Sequence, residues 1–92
     1  MLRLLEIVRS PRADKKWRAI FSDGTKTDFG ATGYRDYTQH KDSTRAASYR
    51  ARHRKDLDTG DPRRAGFLSY YILWDTPDFN ENVRRYKNRF HM

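Results

Sequence analysis

The run Phe67-Leu68-Ser69-Tyr70-Tyr71-Ile72-Leu73-Trp74 constrains this chain more than any other stretch. Only Ser69 interrupts its apolar character. A segment apolar on every side must be buried, with other elements packed around it. The residues before it read as a helix start. Asp61 suits the capping position, where a carboxylate accepts a first-turn N–H, and Pro62 suits the first helical position. The expectation is a central helical rod from Asp61 to Trp74, with Trp74 deep in the core.

The rest of the pattern says what surrounds the rod. Lys16 to Ser22 alternates, with Trp17, Ala19 and Phe21 on one side, Lys16, Arg18 and Ser22 on the other, and Ile20 the exception. A period of two marks a strand with one buried face. Leu2 to Val8 has strand content, with Leu5 and Ile7 on one face and Leu4, Glu6 and Val8 on the other. Ser10 to Lys15 contains Pro11 and reads as a loop. Asp23-Gly24 signals a two-residue hairpin turn, so Thr25 to Phe29 is the returning strand. Tyr34 to Lys41 reads as irregular or a single helical turn. Asp42 or Ser43 opens a helix to about Leu57, with a thin stripe of Ala46, Tyr49, His53 and Leu57, and Gly60 suits a left-handed stop. Thr76 and Pro77 start a last helix striped by Phe79, Val83, Tyr86 and Phe90. Strands grouped before helices give an α+β chain: an N-terminal three-stranded antiparallel meander followed by three helices packed on one face, as one domain over residues 1–92.

Charge says what such a domain meets. Twenty Lys and Arg against twelve Asp and Glu leave a net +8. That balance favours an acidic or polyanionic partner. The chain has no cysteine, which suits a reducing compartment. Its longest unbroken apolar run, Tyr70 to Trp74, is far below the roughly 20 residues of a membrane span. The first residues are too charged for a signal peptide.

Letter motifs for chemistry do not survive their context. Asp28-Phe29-Gly30 matches a kinase magnesium triplet, but a kinase needs further loops on a longer chain. Gly30-x-x-Gly33 matches a backbone clamp that elsewhere joins two helices; here it follows a strand and reads as a turn. No Gly-Lys-Ser/Thr follows, so there is no phosphate loop. His40, His53 and His91 have no zinc spacing. His53 falls on the apolar stripe as a packed or hydrogen-bonded residue, and His40 lacks a nucleophile to serve. Asp36 and Asp42 read as helix caps. The expectation is no catalytic residue, no metal and no cofactor.

The basic set stands above this background. Arg45, Arg50, Arg52, Arg54 and Lys55 lie on one helix, Arg63 and Arg64 follow, and Arg84, Arg85, Lys87 and Arg89 lie beside the last stripe. Arginine favours planar, bidentate contact with phosphate or carboxylate. Tyr34 and Tyr37, read as exposed, would stack on bases or anchor a protein interface. These thirteen residues form the candidate partner-binding surface.

The chain also resembles a known group. The carrying residues are Lys15 to Phe21; Thr27 through Asp42, whose core is the run from Asp28 to Asp42; Arg45, Tyr49 and Arg52-His53-Arg54; Ala65-Gly66, Leu68-Ser69 and Ile72-Leu73-Trp74; and Tyr86-Lys87, Arg89-Phe90. The pattern, over about residues 8 to 90, is similar to a family of small basic proteins encoded by large double-stranded DNA viruses of eukaryotes. The resemblance carries over no catalytic residue. It implies a viral protein, located in the virion and in host cytoplasm or a viral factory during assembly. The function it suggests is a non-enzymatic virion structural protein, a minor capsid-type component binding capsid or other virion proteins. The alternative is a nucleic-acid-binding or genome-packaging protein using the same basic helices.

Overall fold

Alternation along the second strand decides which side of the sheet is dry. In the computed structural model, which describes residues 1–92, β1 (Leu4–Arg9), β2 (Lys15–Phe21) and β3 (Lys26–Ala31) form one antiparallel sheet in the order β1-β2-β3. Trp17 lies opposite Phe29, and Ala19 lies opposite both Ile7 and Thr27. Ala19, Phe21 and Phe29 are buried on this inner face, as the alternation requires. The outer face is polar: Arg18 holds Asp28 at 2.9 Å, and the Ser10 hydroxyl donates to the same carboxylate.

The first strand corrects the expected pattern. Leu4 pairs with Phe21 and Glu6 with Ile20, so Leu5 is an extra residue in the ladder. A bulge of this kind switches the facing of what precedes it. Leu4 therefore joins Ile7 on the core side, while Leu5 is 56% exposed. The hairpin also differs. Phe21 N–H donates to the Thr25 carbonyl and Gly24 N–H to that of Phe21, so three residues close the turn, with Gly24 at φ 90°.

The helical half follows as α1 (Tyr37–His40), α2 (Ser43–His53) with a 3-10 extension Arg54–Thr59, α3 (Ala65–Leu68) continuing as a π-wound turn Ser69–Leu73, and α4 (Phe79–Arg89). Asp42 caps α2 as expected, accepting from the N–H groups of Thr44 and Arg45, and Gly60 ends the 3-10 turn at φ 66°.

The rod is shorter and less deeply buried than its composition implies. Asp61 does not cap it. Its carboxylate accepts the Arg63 N–H and its carbonyl the Arg64 N–H, making a turn, and the helix starts only at Ala65. Phe67, Leu68, Ile72 and Leu73 are buried, whereas Tyr70, Tyr71 and Trp74 are only half-buried. The sheet and α4 cover two sides of the rod, leaving the tyrosine edges toward water. One core joins Leu4, Ala19, Phe21, Phe29, Leu68, Ile72, Leu73 and Tyr86.

The end of the rod is tied by a residue the apolar stripes do not reveal. A π-wound turn ends with carbonyls that no helical N–H reaches, and inside a core those groups need partners. Asn82 is fully buried and supplies them. Its amide donates to the carbonyls of Ile72 and Thr76, both at 2.8 Å. Its oxygen accepts the Thr76 N–H at 3.0 Å and hydroxyl at 2.6 Å. Thr76 is thereby engaged and does not cap the last helix. Asp78 does so, through the Glu81 N–H. Replacing Asn82 with Ala strands the buried Ile72 carbonyl and the half-buried Thr76 carbonyl. At about 1–3 kcal/mol for each unsatisfied group, we expect a loss of about 3 kcal/mol in urea unfolding; a loss under about 1 kcal/mol would contradict this account.

Candidate binding cleft

The Asp28–Asp42 run assigns nearly every polar side chain an internal task. Asp28 pairs with Arg18. Gly30 sits at φ 83°, and a Cβ there would lie 2.9 Å from the Leu73 side chain, so β3 approaches the rod closely only with glycine. Asp36, almost fully buried, caps α1 and receives the Lys16 ammonium at 2.7 Å. Gln39 completes the capping box and also accepts from Lys16. His40 Nδ1 accepts the Asp42 N–H at 2.9 Å, and its buried Nε2 finds no oxygen or nitrogen partner. Its ring lies against Trp74, 5.4 Å between centroids.

Helix α2 is latched to this frame through Trp74. Tyr49 stacks on the Trp74 ring at 4.0 Å, nearly parallel, and His53 stacks on the other partner, Tyr49, at 4.1 Å. Arg50 donates to the Trp74 carbonyl at 2.6 Å. His53 Nδ1 meets Asp56 at 3.0 Å, and a Cβ at Gly66 would lie 2.9 Å from the Asp56 side chain, so the 3-10 extension rests on the bare start of α3.

Between α2, the β2–β3 end of the sheet and the rod lies a cleft of about 470 Å³. Tyr49, Leu73 and Trp74 give it an apolar wall. Lys15, Arg35 and Arg52 line it without a carboxylate partner, and Tyr34 stands beside them, 77% exposed. Of its two acids, Asp36 is bound by Lys16 and Asp56 by His53. No group of residues in the structure gathers metal ligands.

The model of a family of unknown function, DUF5754, matches residues 5–53. The chain belongs to that family. No curated protein matches, and no solved structure matches. The DUF5754 match runs from β1 to the end of α2, so it contains Tyr34, Arg35 and Arg52. The rod that completes the cleft lies beyond it.

The structure divides the basic residues into engaged and free. Arg63 is held between Asp23 at 2.7 Å and Asp61 at 3.1 Å. Arg84 pairs with Glu81, Arg85 with Asp75 and Glu81, and Arg45 loosely with Asp42 at 3.7 Å. Arg89 lies over the Tyr71 ring at 4.5 Å. Arg50 is spent on the Trp74 carbonyl. Arg52, Arg54, Lys55, Arg64 and Lys87 have no carboxylate partner. Tyr37, read as exposed, is half-buried near His40. Lys15 and Arg35 lie outside the expected surface: Lys15 sits beside Lys16 at the start of a strand and Arg35 between Tyr34 and Asp36, and only the fold brings them beside Arg52.

These bonds set the response to pH. Thr25 N–H, with help from Arg63, holds Asp23 down to about 2. Arg18 lowers Asp28, Arg63 lowers Asp61, and Arg84 lowers Glu81. A carboxylate lowered by folding stabilises the fold above its ordinary pKa and loses that contribution as pH falls through its folded value. Urea midpoints should hold level down to about pH 5 and then fall between about 4 and 2. Burial raises Tyr49 to about 12 and raises Tyr86 as well. Their contribution is full below about pH 10 and fades above it. Tyrosinate absorbance in the folded protein should show two late-ionising groups, and their loss in Tyr49→Phe and Tyr86→Phe assigns them.

The Trp74 latch makes a separate prediction. Trp74 is half-buried, so Trp74→Ala should cost about 3 kcal/mol, the low end for such a change. Tyr49→Ala should overlap with it. A double-mutant cycle should return a coupling of about 1 kcal/mol from the stacked rings; strict additivity would mean that Tyr49 does not bear on Trp74.

Proposed function

We propose that this protein is a non-enzymatic structural component of the particle of a large DNA virus, a minor capsid-type protein that docks on neighbouring virion proteins. The observation that carries the reading is the mixed charge of the helical side. Arg54, Lys55, Arg64 and Lys87 are free of carboxylate partners, yet Asp58 shares the 3-10 turn with Arg54 and Lys55, and Glu81 shares α4 with Lys87. Alternating signs fix the register of one protein on another, while a nucleic-acid groove gains nothing from the acids. The resemblance to small basic viral proteins supplies the setting.

The non-catalytic part rests on where the titratable groups are used. Asp36, Asp42 and His40 hold backbone or Lys16 in place, and Ser69, the serine of the cleft, makes no hydrogen bond to His53. No helix is long and apolar enough to cross a membrane.

When the genome is released from purified particles, the protein should remain with the shell. Recovery only with the DNA would favour the genome-packaging alternative. That alternative also requires a log–log salt dependence of roughly −0.9 per phosphate contacted. Arg54→Glu with Lys55→Glu should lower incorporation into particles without moving the thermal midpoint, since both side chains are exposed; unchanged incorporation removes this face from the contact.

A further inference from the structure

We infer that the cleft binds one nucleotide, its base laid on Tyr34 and its phosphate taken by Lys15, Arg35 and Arg52. This goes beyond protein docking and stands on separate residues. A cleft of about 470 Å³ falls within the range of small-ligand sites, roughly 300–1,000 Å³, and admits one nucleotide but not a duplex.

Charge comes next. Lys15 and Arg52 carry no internal bond to a carboxylate, and Arg35 gives only one N–H, to the Gln39 carbonyl at 3.2 Å. A guanidinium has five donors, so most of that fork remains for a phosphate. Of the acids in the lining, Asp36 is paired with Lys16 and Asp56 is hydrogen-bonded to His53, and Lys15, Lys16, Arg35 and Arg52 outnumber the two. The mouth of the cleft is therefore positive.

The ring decides the ligand class. Tyr34 is the one large aromatic side chain left mostly in water, and it stands at the cleft beside the free cations. A planar base covers such a face, and stacking tolerates any base. An acidic peptide would use the same cations but has nothing planar to lay on Tyr34.

The test uses the full chain, with intrinsic tryptophan fluorescence and calorimetry as readouts. The probes are adenosine monophosphate, adenosine, inorganic phosphate, a single-stranded oligodeoxynucleotide, its duplex, and a glutamate-rich peptide. The nucleotide or the single strand should saturate one site per chain, with adenosine and phosphate at least about tenfold weaker. Preference for the free nucleotide or for the strand identifies the source. Tyr34→Ala and Arg52→Ala should each weaken binding about tenfold. Tyr34→Phe should retain it, and Arg84→Ala, on α4 outside the cleft, should leave it unchanged. Three results would overturn the inference: phosphate binding as tightly as the nucleotide, duplex binding that ignores Tyr34 and Arg52, or the peptide alone occupying the site.

Discussion

The fold depends on how the rod ends. A π-wound turn widens the helix and leaves its last carbonyls pointing at no N–H. In this chain the Ile72 carbonyl lies buried in the core, and the Thr76 carbonyl of the following turn is half-buried beside it. Asn82 meets both faces of the problem, donating twice and accepting twice, and it does so from inside α4. The same contact therefore closes the rod, shapes the Asp75–Asp78 turn and fixes where α4 begins. Tyr86, one turn further on, donates its hydroxyl to the Pro62 carbonyl at the other end of the rod. Two polar side chains on one helix thus hold both ends of the segment that the sheet packs against.

The second half of the frame is the Lys16–Asp36 pair. A buried ion pair is a weak source of stability on its own, because desolvation offsets the attraction. Here its value is positional. Asp36 also caps α1 and Gln39 returns the favour, so one carboxylate sets the exit from β3 and the entry to α2. His40 and Asp42 pass the direction on, and Trp74 receives α2 through Tyr49 and Arg50. The cleft is what remains between these fixed parts.

Much of the fold was legible in the chain because its signals are local. Alternation gave β2, and Asp42 and Gly60 gave the limits of the second helical segment. The departures share a cause: each turns on which partner a side chain or strand meets in the fold, whether two residues away, as Arg63 is from Asp61, or forty, as Arg63 is from Asp23. The Leu5 bulge is set by pairing with β2. Thr76 looks like a cap until Asn82 takes it, and Asp61 looks like one until Arg63 folds back on it. Arg63 itself reads as a surface cation, yet its second carboxylate, Asp23, is in the hairpin. Asn82 carries no apolar signal at all. The rod is less buried than its composition implies because seven apolar residues in a run of eight need cover on every side, and Tyr70, Tyr71 and Trp74 stay half-buried.

That shortage of cover bears on the candidate site. A small domain cannot bury all of its aromatic rings, so an exposed ring alone says little. Tyr34 differs in its neighbourhood. The residues around it in the Asp28–Asp42 run are consumed by caps, ion pairs and close packing, and it has no such task. Arg35 beside it makes one bond of five. Lys15 and Arg52, free as well, arrive from a strand and a helix that the Asp36 and Trp74 contacts hold at fixed positions. A ring and three cations without internal partners, carried on elements held this firmly, are arranged for something outside the chain. The arginines of α4 fit that description less well, because Glu81 and Asp75 already answer them.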